Sequence, residues 1–446
     1  MSKDKKDKGD NWEPKLQLAT GGEMINYRES WRIFRIMSEF VDGYQFLSEL
    51  KKEVTIFGSA RLPANSKYYQ IAEDLGRLLG KNGFTTITGG GPGVMEAANK
   101  GAFETGGQSA GLNIQLPREQ RINPYVNKAI GFYYFFTRKV MMTAPAHAFV
   151  FFPGGFGTLD EFFEVVDYME MGQMEKSPII LVGSDFWNPM LKFLKQKSSK
   201  EIKSVAETDI QSWQVVDDAK SAFEFIKDTK DQPLACRPGS SSPHCQGGAD
   251  WRIFRIMAEL VDGFEFLTKV EDNATVLGTK SIMPGSAYYQ AAYEIGKILA
   301  KHKVVTMTGG GPGIMEAANK GAFEAGGESI GIDMRFDRSE RHNNYLTKSI
   351  GFSFPFVRKL IITSPSEFFI FFPGGFGTLH QLFEMLTLVE TKKVNPMPIL
   401  LYGESFWRPL LDFVHKLYGD FKTISLGDEN LVKVIDRPEQ IKEYLK

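Results

Sequence analysis

The chain reads as an α/β protein made of two tandem copies of one parallel-sheet domain, and three observations predict this. Trp31 to Met37 recurs as Trp251 to Met257, and from there to Glu161 and Gln381 the copies align at a constant offset of 220 without a gap. Between Thr88 and Gly107 they agree at 18 of 20 residues, which makes duplication the source of both halves. Two long copies form a tandem pair, not a solenoid. Short apolar, β-rich runs alternate with helical patterns, and parallel strands need such crossovers, which cover the sheet on both faces. Finally, three strands end in glycine-rich turns, at the sheet edge where ligands bind in such folds.

In chain order, residues 1–26 are polar, lysine-rich and aperiodic and are expected to be a disordered tail. Ile33, Met37, Phe40, Tyr44 and Leu47 recur at helical spacing, so Arg28 to Leu50 reads as an amphipathic helix packed on the domain. Val54 to Phe57 is a strand, Tyr68 to Leu79 a helix, Thr85 to Thr88 a strand and Val94 to Phe103 a helix. Ser109 to Ile114 follows as a strand, Ile130 to Thr143 as a helix, His147 to Phe152 as a strand and Leu159 to Met171 as a helix. Ile179 to Val182 and Gln214 to Val216 are the last strands, with helices at Phe186 to Leu194 and Ser221 to Lys227. Each copy is thus a Rossmann-like, doubly wound parallel-sheet domain. The expected boundaries are 27–230 and 250–446, joined by a flexible Pro/Gly/Ser-rich linker at 231–249.

Lysine plus arginine number 53 against 54 acidic residues, so no strong field draws in nucleic acid or an anionic membrane. No apolar run approaches the roughly 20 residues of a membrane span, and the charged N-terminus lacks the apolar core of a signal peptide. A cytoplasmic protein with a small-molecule partner is expected. Cys236 and Cys245, with His244 between them in the linker, have the chemistry to hold a metal or form a local disulfide, but four-ligand zinc spacing and any oxidising-compartment signal are missing, and they read as incidental thiols. No histidine pattern suggests a metal, and no cofactor is expected.

The stretch Phe151 to Leu159 (FFPGGFGTL) recurs letter for letter as Phe371 to Leu379. It is a buried strand turning sharply into a helix, whose unpaired N–H groups and positive dipole end offer a seat for phosphate or carboxylate. Gly89 to Gly93 lacks the G-x-G-x-x-G spacing, a Walker lysine and a following ribose-clamping acid, so NAD and ATP chemistry are disfavoured. What remains is a turn able to receive a phosphate or ribose, or a merely structural one. The Arg138-Lys139 pair returns as Arg358-Lys359, and an arginine near such a seat can fork onto oxyanions or hold a carboxylate.

Glu161 has two readings. Thr158 and Glu161 have capping-box spacing, a role that glutamine fills equally well, and the second copy has Thr378 and Gln381. A general base, or a carboxylate facing an oxocarbenium ion, cannot be glutamine. The first turn shows a similar asymmetry: Phe57-Gly58-Ser59-Ala60-Arg61 becomes Leu277-Gly278-Thr279-Lys280-Ser281 and loses its arginine.

Pro153 to Glu161 matches P-G-G-x-G-T-x-x-E, and with Arg138-Lys139 and the Gly89 to Ala98 stretch the chain resembles the LOG family, often labelled "lysine decarboxylase". The resemblance covers nearly all of both copies. It implies hydrolysis of the N-glycosidic bond of a nucleoside 5'-monophosphate, of the AMP or cytokinin riboside monophosphate type, to free base and ribose 5-phosphate. It implies Arg138 and Glu161 as the catalytic pair, with Gly154, Gly155, Gly157 and Thr158 holding the phosphate. Ser59, Arg61, Gly89, Gly90, Gly91, Glu96 and Lys139 complete the expected substrate site. Gly310, Gly311, Arg358, Gly374, Gly375, Gly377 and Thr378 would form a second nucleotide site, where Gln381 departs from the motif and puts catalysis in doubt. Single-domain relatives resemble homodimers, which implies a fused intramolecular pseudodimer here, with further self-association left open. The alternative is a nucleotide-binding regulator without turnover. Decarboxylation is disfavoured, since Lys139 lacks the partner that a pyridoxal ring nitrogen needs.

Overall fold

The computed structural model describes residues 27–115, 122–229, 248–270, 272–335 and 342–445. The expected tail at 1–26 lies outside these residues, as do most of the linker and both cysteines. The first repeat runs α1 (Tyr27–Ser48), β1 (Glu53–Phe57), α2 (Lys67–Lys81), β2 (Thr85–Thr88), α3 (Val94–Glu104), β3 (Gln108–Ile114), β4 (Lys128–Phe132) and α4 (Phe135–Thr143). It continues with β5 (Ala148–Phe151), α5 (Phe156–Glu170), β6 (Ile179–Val182), α6 (Ser184–Phe193), α7 (Glu207–Gln211), β7 (Gln214–Val216) and α8 (Ala219–Glu224). The second repeat follows as α9 (Gly248–Leu267), β8 (Asn273–Leu277), α10 (Ala287–Lys301), β9 (Val305–Thr308), α11 (Ile314–Glu324), β10 (Ser329–Met334) and β11 (Lys348–Phe352). It ends with α12 (Pro355–Thr363), β12 (Phe368–Phe371), α13 (Phe376–Glu390), β13 (Ile399–Tyr402), α14 (Glu404–Gly419) and β14 (Val432–Ile435).

Each repeat carries a seven-stranded sheet, in the orders β4-β3-β2-β1-β5-β6-β7 and β11-β10-β9-β8-β12-β13-β14. All pairings are parallel. The central strands are buried throughout, as strands covered on both faces must be. The winding direction reverses between β1 and β5, a switch point at which α/β sheets open a crevice at the carboxyl ends of their strands.

Two expectations need correction. The helix expected from Ile130 to Thr143 is instead the strand β4 followed by α4, which raises the strand count to seven. No local pattern encodes this, because β4 is an edge strand held by its ladder to β3, from Ala110 opposite Lys128 to Ile114 opposite Phe132. The start of α4 is held by Glu39 of α1, whose carboxylate accepts the N–H groups of Tyr133 at 2.7 Å and Tyr134 at 3.3 Å. The helix expected from Leu159 begins earlier, at Phe156, with Gly155 as its N-cap and no side chain capping it. Thr158 and Glu161 are therefore its third and sixth residues. The capping box does not exist, and the same holds for Thr378 and Gln381 on α13.

The two repeats share one apolar core. A cluster under α2 and α8 is private to the first repeat, whereas the cluster on the opposite sheet face runs on into the second. Phe163 of α5 stacks on Phe383 of α13 with ring centroids 5.4 Å apart and planes 1° from parallel. The two are counterparts at the 220 offset, and a residue that touches its own counterpart lies on a twofold axis. Around that axis Phe156 meets Phe383, Trp213 meets Phe376, Phe186 meets Phe421 and Phe193 meets Phe406. Truncating a fully buried phenylalanine costs roughly 3–5 kcal/mol. Phe163→Ala is therefore expected to lower stability by about that much and to shift a single unfolding transition common to both repeats in urea titrations followed by circular dichroism. Two transitions, of which only one moves, would show separate cores.

Candidate active site

Three turns interlock at the switch point of the first repeat. The N–H of Phe152 donates to Phe57 O at 2.9 Å, that of Ser59 to Pro153 O at 3.0 Å and that of Val94 to Ser59 O at 3.1 Å. Gly93, at φ +69, presses its Cα on this crossing so closely that a Cβ would stand 2.8 Å from the Ala60 carbonyl carbon. The turns carrying Ser59, Gly89 to Gly91 and Gly154 to Thr158 are thus one assembly. Thr158 folds back over Gly154, where any side chain would overlap it. With no capping side chain, the first turn of α5 presents backbone N–H groups and the positive end of its dipole.

Arg138 projects from α4 onto this assembly. Its Nε donates to Leu112 O at 2.8 Å, and its guanidinium lies where a Cβ on Gly89 would be. That explains why glycine is required there. Nη1 of Arg138 stands 3.8 Å from Oε1 of Glu161, with both side chains largely buried. Burial works against the arginine's charge and Glu161 works for it. For Glu161, burial outweighs the pull of Arg138 and Lys139 and raises the carboxyl from 4.5 to about 7. A carboxyl poised there can act as either acid or base near neutrality.

Arg61, with its N–H on Ser59 Oγ at 3.0 Å, reaches across to Glu390 of the second repeat at 2.8 Å. Lys393, also of the second repeat, donates to Gln115 O at 3.0 Å and lies over the Tyr133 ring at 5.0 Å. The second repeat also covers Gly155, where a Cβ would meet Thr423 O at 2.6 Å. The cleft is therefore walled by both repeats.

Two expected site residues point elsewhere. Glu96 faces α2, accepting from Tyr69 at 3.4 Å. Lys139 is buried against α5, with its ammonium 2.6 Å from Asp160 Oδ2 and 3.5 Å from Glu164 Oε2. Burial works against that charge, but Asp160, Glu164 and Glu384 together raise the pKa above the usual lysine value. Across the twofold axis Lys359 pairs with Glu384 at 3.2 Å and meets His380 Nε2, while His380 Nδ1 lies 3.1 Å from Asp167. Burial, with Lys359 and Lys139, holds His380 well below the usual histidine value, so it is neutral and donates to Asp167.

Two asparagines that sequence reasoning missed brace the glycine turn. Asn123 donates to Gly91 O at 3.1 Å and to Asn99 Oδ1 at 3.0 Å, and Asn99 accepts from Thr88 at 2.6 Å. Asn319 and Asn343 repeat this in the second copy. Their identity in both copies was the available signal.

The second cleft keeps the frame. Arg358 Nε donates to Ile332 O at 2.7 Å over Gly309, the Gly310 to Gly311 turn is braced as described, and Thr378 folds over Gly374. Gly375 is covered by Ser204 of the first repeat, and Gly377 faces Asp167, whose Oδ1 would be 3.0 Å from a Cβ there. In place of Glu161 stands Gln381, 7% exposed.

The family model described as "Possible lysine decarboxylase" matches residues 95–226 and again 315–445. The cytokinin riboside 5'-monophosphate phosphoribohydrolase of Rhodococcoides fascians is 28% identical over 150 residues, spanning 32% of this chain and 74% of that protein. The LOG protein of Oryza sativa subsp. japonica, of the same activity by name, is 30% identical over 159 residues, spanning 34% of this chain and 64% of that one. Among solved structures, the molybdenum cofactor binding protein of Rippkaea orientalis is 21% identical with a TM-score of 0.32, covering 40% of this chain and 97% of that one. With its model matched twice over more than half of the residues, the chain belongs to the LOG-type family that carries the "Possible lysine decarboxylase" label, and holds that family's domain in tandem.

Proposed function

We propose that the first-repeat cleft hydrolyses the N-glycosidic bond of a nucleoside 5'-monophosphate, of the AMP or cytokinin riboside monophosphate type, releasing free base and ribose 5-phosphate. The observation that carries this reading is Glu161, a buried carboxyl at about 7 beside Arg138, one and a half turns behind an uncapped helix start. The relatives named as phosphoribohydrolases supply the reaction class.

In this reading the 5'-phosphate sits on the N–H groups of α5, with Gly154, Gly155, Gly157 and Thr158 lining the seat. Glu161 lies five positions after Phe156, roughly 7.5 Å along a helix axis. That distance suits a ribose whose phosphate is at the helix start and whose anomeric carbon faces the carboxylate. Water attacks that carbon as the bond to the base nitrogen breaks, and the base leaves with the electron pair and takes a proton from solvent. Ionised Glu161 accepts the proton of the attacking water and faces the developing positive charge on the sugar. Arg138 favours the ionised carboxylate, against the larger effect of burial, and orients it. Ser59, Arg61 and Gly89 to Gly91 line the nucleoside side. Units 27–230 and 250–446 act together as a fused pseudodimer in the cytoplasm, and among the described residues no helix is long and apolar enough to cross a membrane.

Glu161→Gln keeps shape and volume and removes no cap. It is expected to lower kcat for base release from AMP by about 10²–10⁴-fold, read by chromatography of adenine, while retained activity would end this reading. In wild type, kcat/KM should rise with pH to a plateau above about 7, as Glu161 ionises. The same shift bears on stability. A carboxyl whose folded pKa is raised from 4.5 to about 7 favours the folded state when protonated, and that contribution is lost as pH rises between those values. The stability of Glu161→Gln relative to wild type should therefore increase from pH 4.5 to 7 in urea titrations and stay level above, whereas a difference independent of pH would mean an unshifted carboxyl.

A further inference from the structure

The second cleft repeats the backbone of the first with its charges rearranged. Beside the first turn of α5 stands Thr387, whose methyl would be 3.8 Å from a Cβ on Gly157, whereas the counterpart beside α13 is Asp167, at 3.0 Å from a Cβ on Gly377. Arg61 becomes Ser281, and Lys393 becomes Gln173. Asn113 becomes Asp333, which pairs with His342 and whose carboxyl carbon would be 2.8 Å from a Cβ on Gly310. Cations are gained as well: Lys280 stands in place of Ala60 and faces Glu170, and Arg335 stands in place of Gln115. At the helix start itself the contrast is plain: a threonine stands beside α5 and a carboxyl beside α13.

A phosphate dianion gains less in such a cleft, since nearby like charges oppose it strongly in a partly desolvated site. Asp167, raised to about 7 mainly by burial, would have to take up a proton when the anion arrives. Yet the cleft holds a polar group that its own residues leave unsatisfied. Gln381 is 93% buried, and its Nε2 has no hydrogen-bond partner. A buried amide donor of this kind calls for an acceptor, and Gln381 stands where Glu161 addresses the ribose in the reading above.

We propose that the second cleft binds, without cutting, a nucleoside that carries no 5'-phosphate, with the Gln381 amide on its ribose hydroxyls and Asp333 accepting from its donors. This rests on the nucleotide reading of the first cleft and assigns its twin a different ligand class. Arg358 and the Gly310 to Gly311 turn supply the frame, and Gln381 in place of a carboxylate leaves no base to activate water.

Calorimetry on the Glu161→Gln chain, with AMP and adenosine as probes, tests this. AMP should bind once per chain, and adenosine should bind once more to the AMP-saturated protein, with AMP at least 100-fold weaker than adenosine at that second site. Gln381→Leu in that background should abolish the adenosine isotherm and leave AMP binding intact. Asp167→Asn with Asp333→Asn should raise AMP stoichiometry toward two. AMP filling two sites in Glu161→Gln, or adenosine failing to bind the AMP-saturated chain, overturns the proposal, and neither measurement needs a second-cleft variant. Failure of the first-cleft reading looks different, with no AMP bound and no adenine released by wild type.

Discussion

The site depends on where α5 begins. Because the helix starts at Phe156, with glycines before it and no side chain across its end, its first N–H groups stay open. Glu161 is then carried one and a half turns inward, to a buried position beside Arg138. A helix starting at Thr158 would have used that carboxylate as a cap and left it in water. The early start is permitted by close packing, since Gly154 leaves room for Thr158, and Gly155 leaves room for Thr423 of the other repeat.

That packing ties each cleft to the opposite repeat. The stacked Phe163 and Phe383 fix the axis, and beside them lies a buried polar set: Lys139, Asp160 and Glu164 from one side, Lys359, neutral His380 and Glu384 from the other. Charges so enclosed are tolerated when paired, and breaking one pair leaves its partner exposed to the full cost of burial. The substitution of His380 for the counterpart of Asp160 keeps this set from carrying still more negative charge, and its neutral ring joins Lys359 to Asp167. Differences between the two helices at this seam set the contrast between the clefts.

Much of this was legible in the chain, for particular reasons. Duplication and the alternation of strand and helix are written as offset and periodicity, which need no tertiary knowledge. The closeness of Arg138 and Glu161 was legible through motif spacing, and the exchange of Glu161 for Gln381 is a difference between the copies that the sequence states outright. Strand β4 was not legible, because its pairing with β3 outweighs a local pattern that looks helical. The start of α5 was missed because Phe156 and Gly157 look like turn residues when their packing is unseen. Lys139 was misread as lining the substrate because its partners Asp160 and Glu164 lie on another element. The contact of Asp167 with α13 depends on how the two repeats meet, and no single copy contains that information.

The account turns on a carboxyl held near neutrality by burial beside an arginine. Carbon-13 labelling of glutamate carboxyls, with the Glu161 resonance assigned by its absence in Glu161→Gln, reads this directly as a titration curve. A midpoint near 7 is predicted. A midpoint near the ordinary glutamate value of about 4.3 would mean a solvated side chain, and would contradict both the buried pair and the catalytic role built on it.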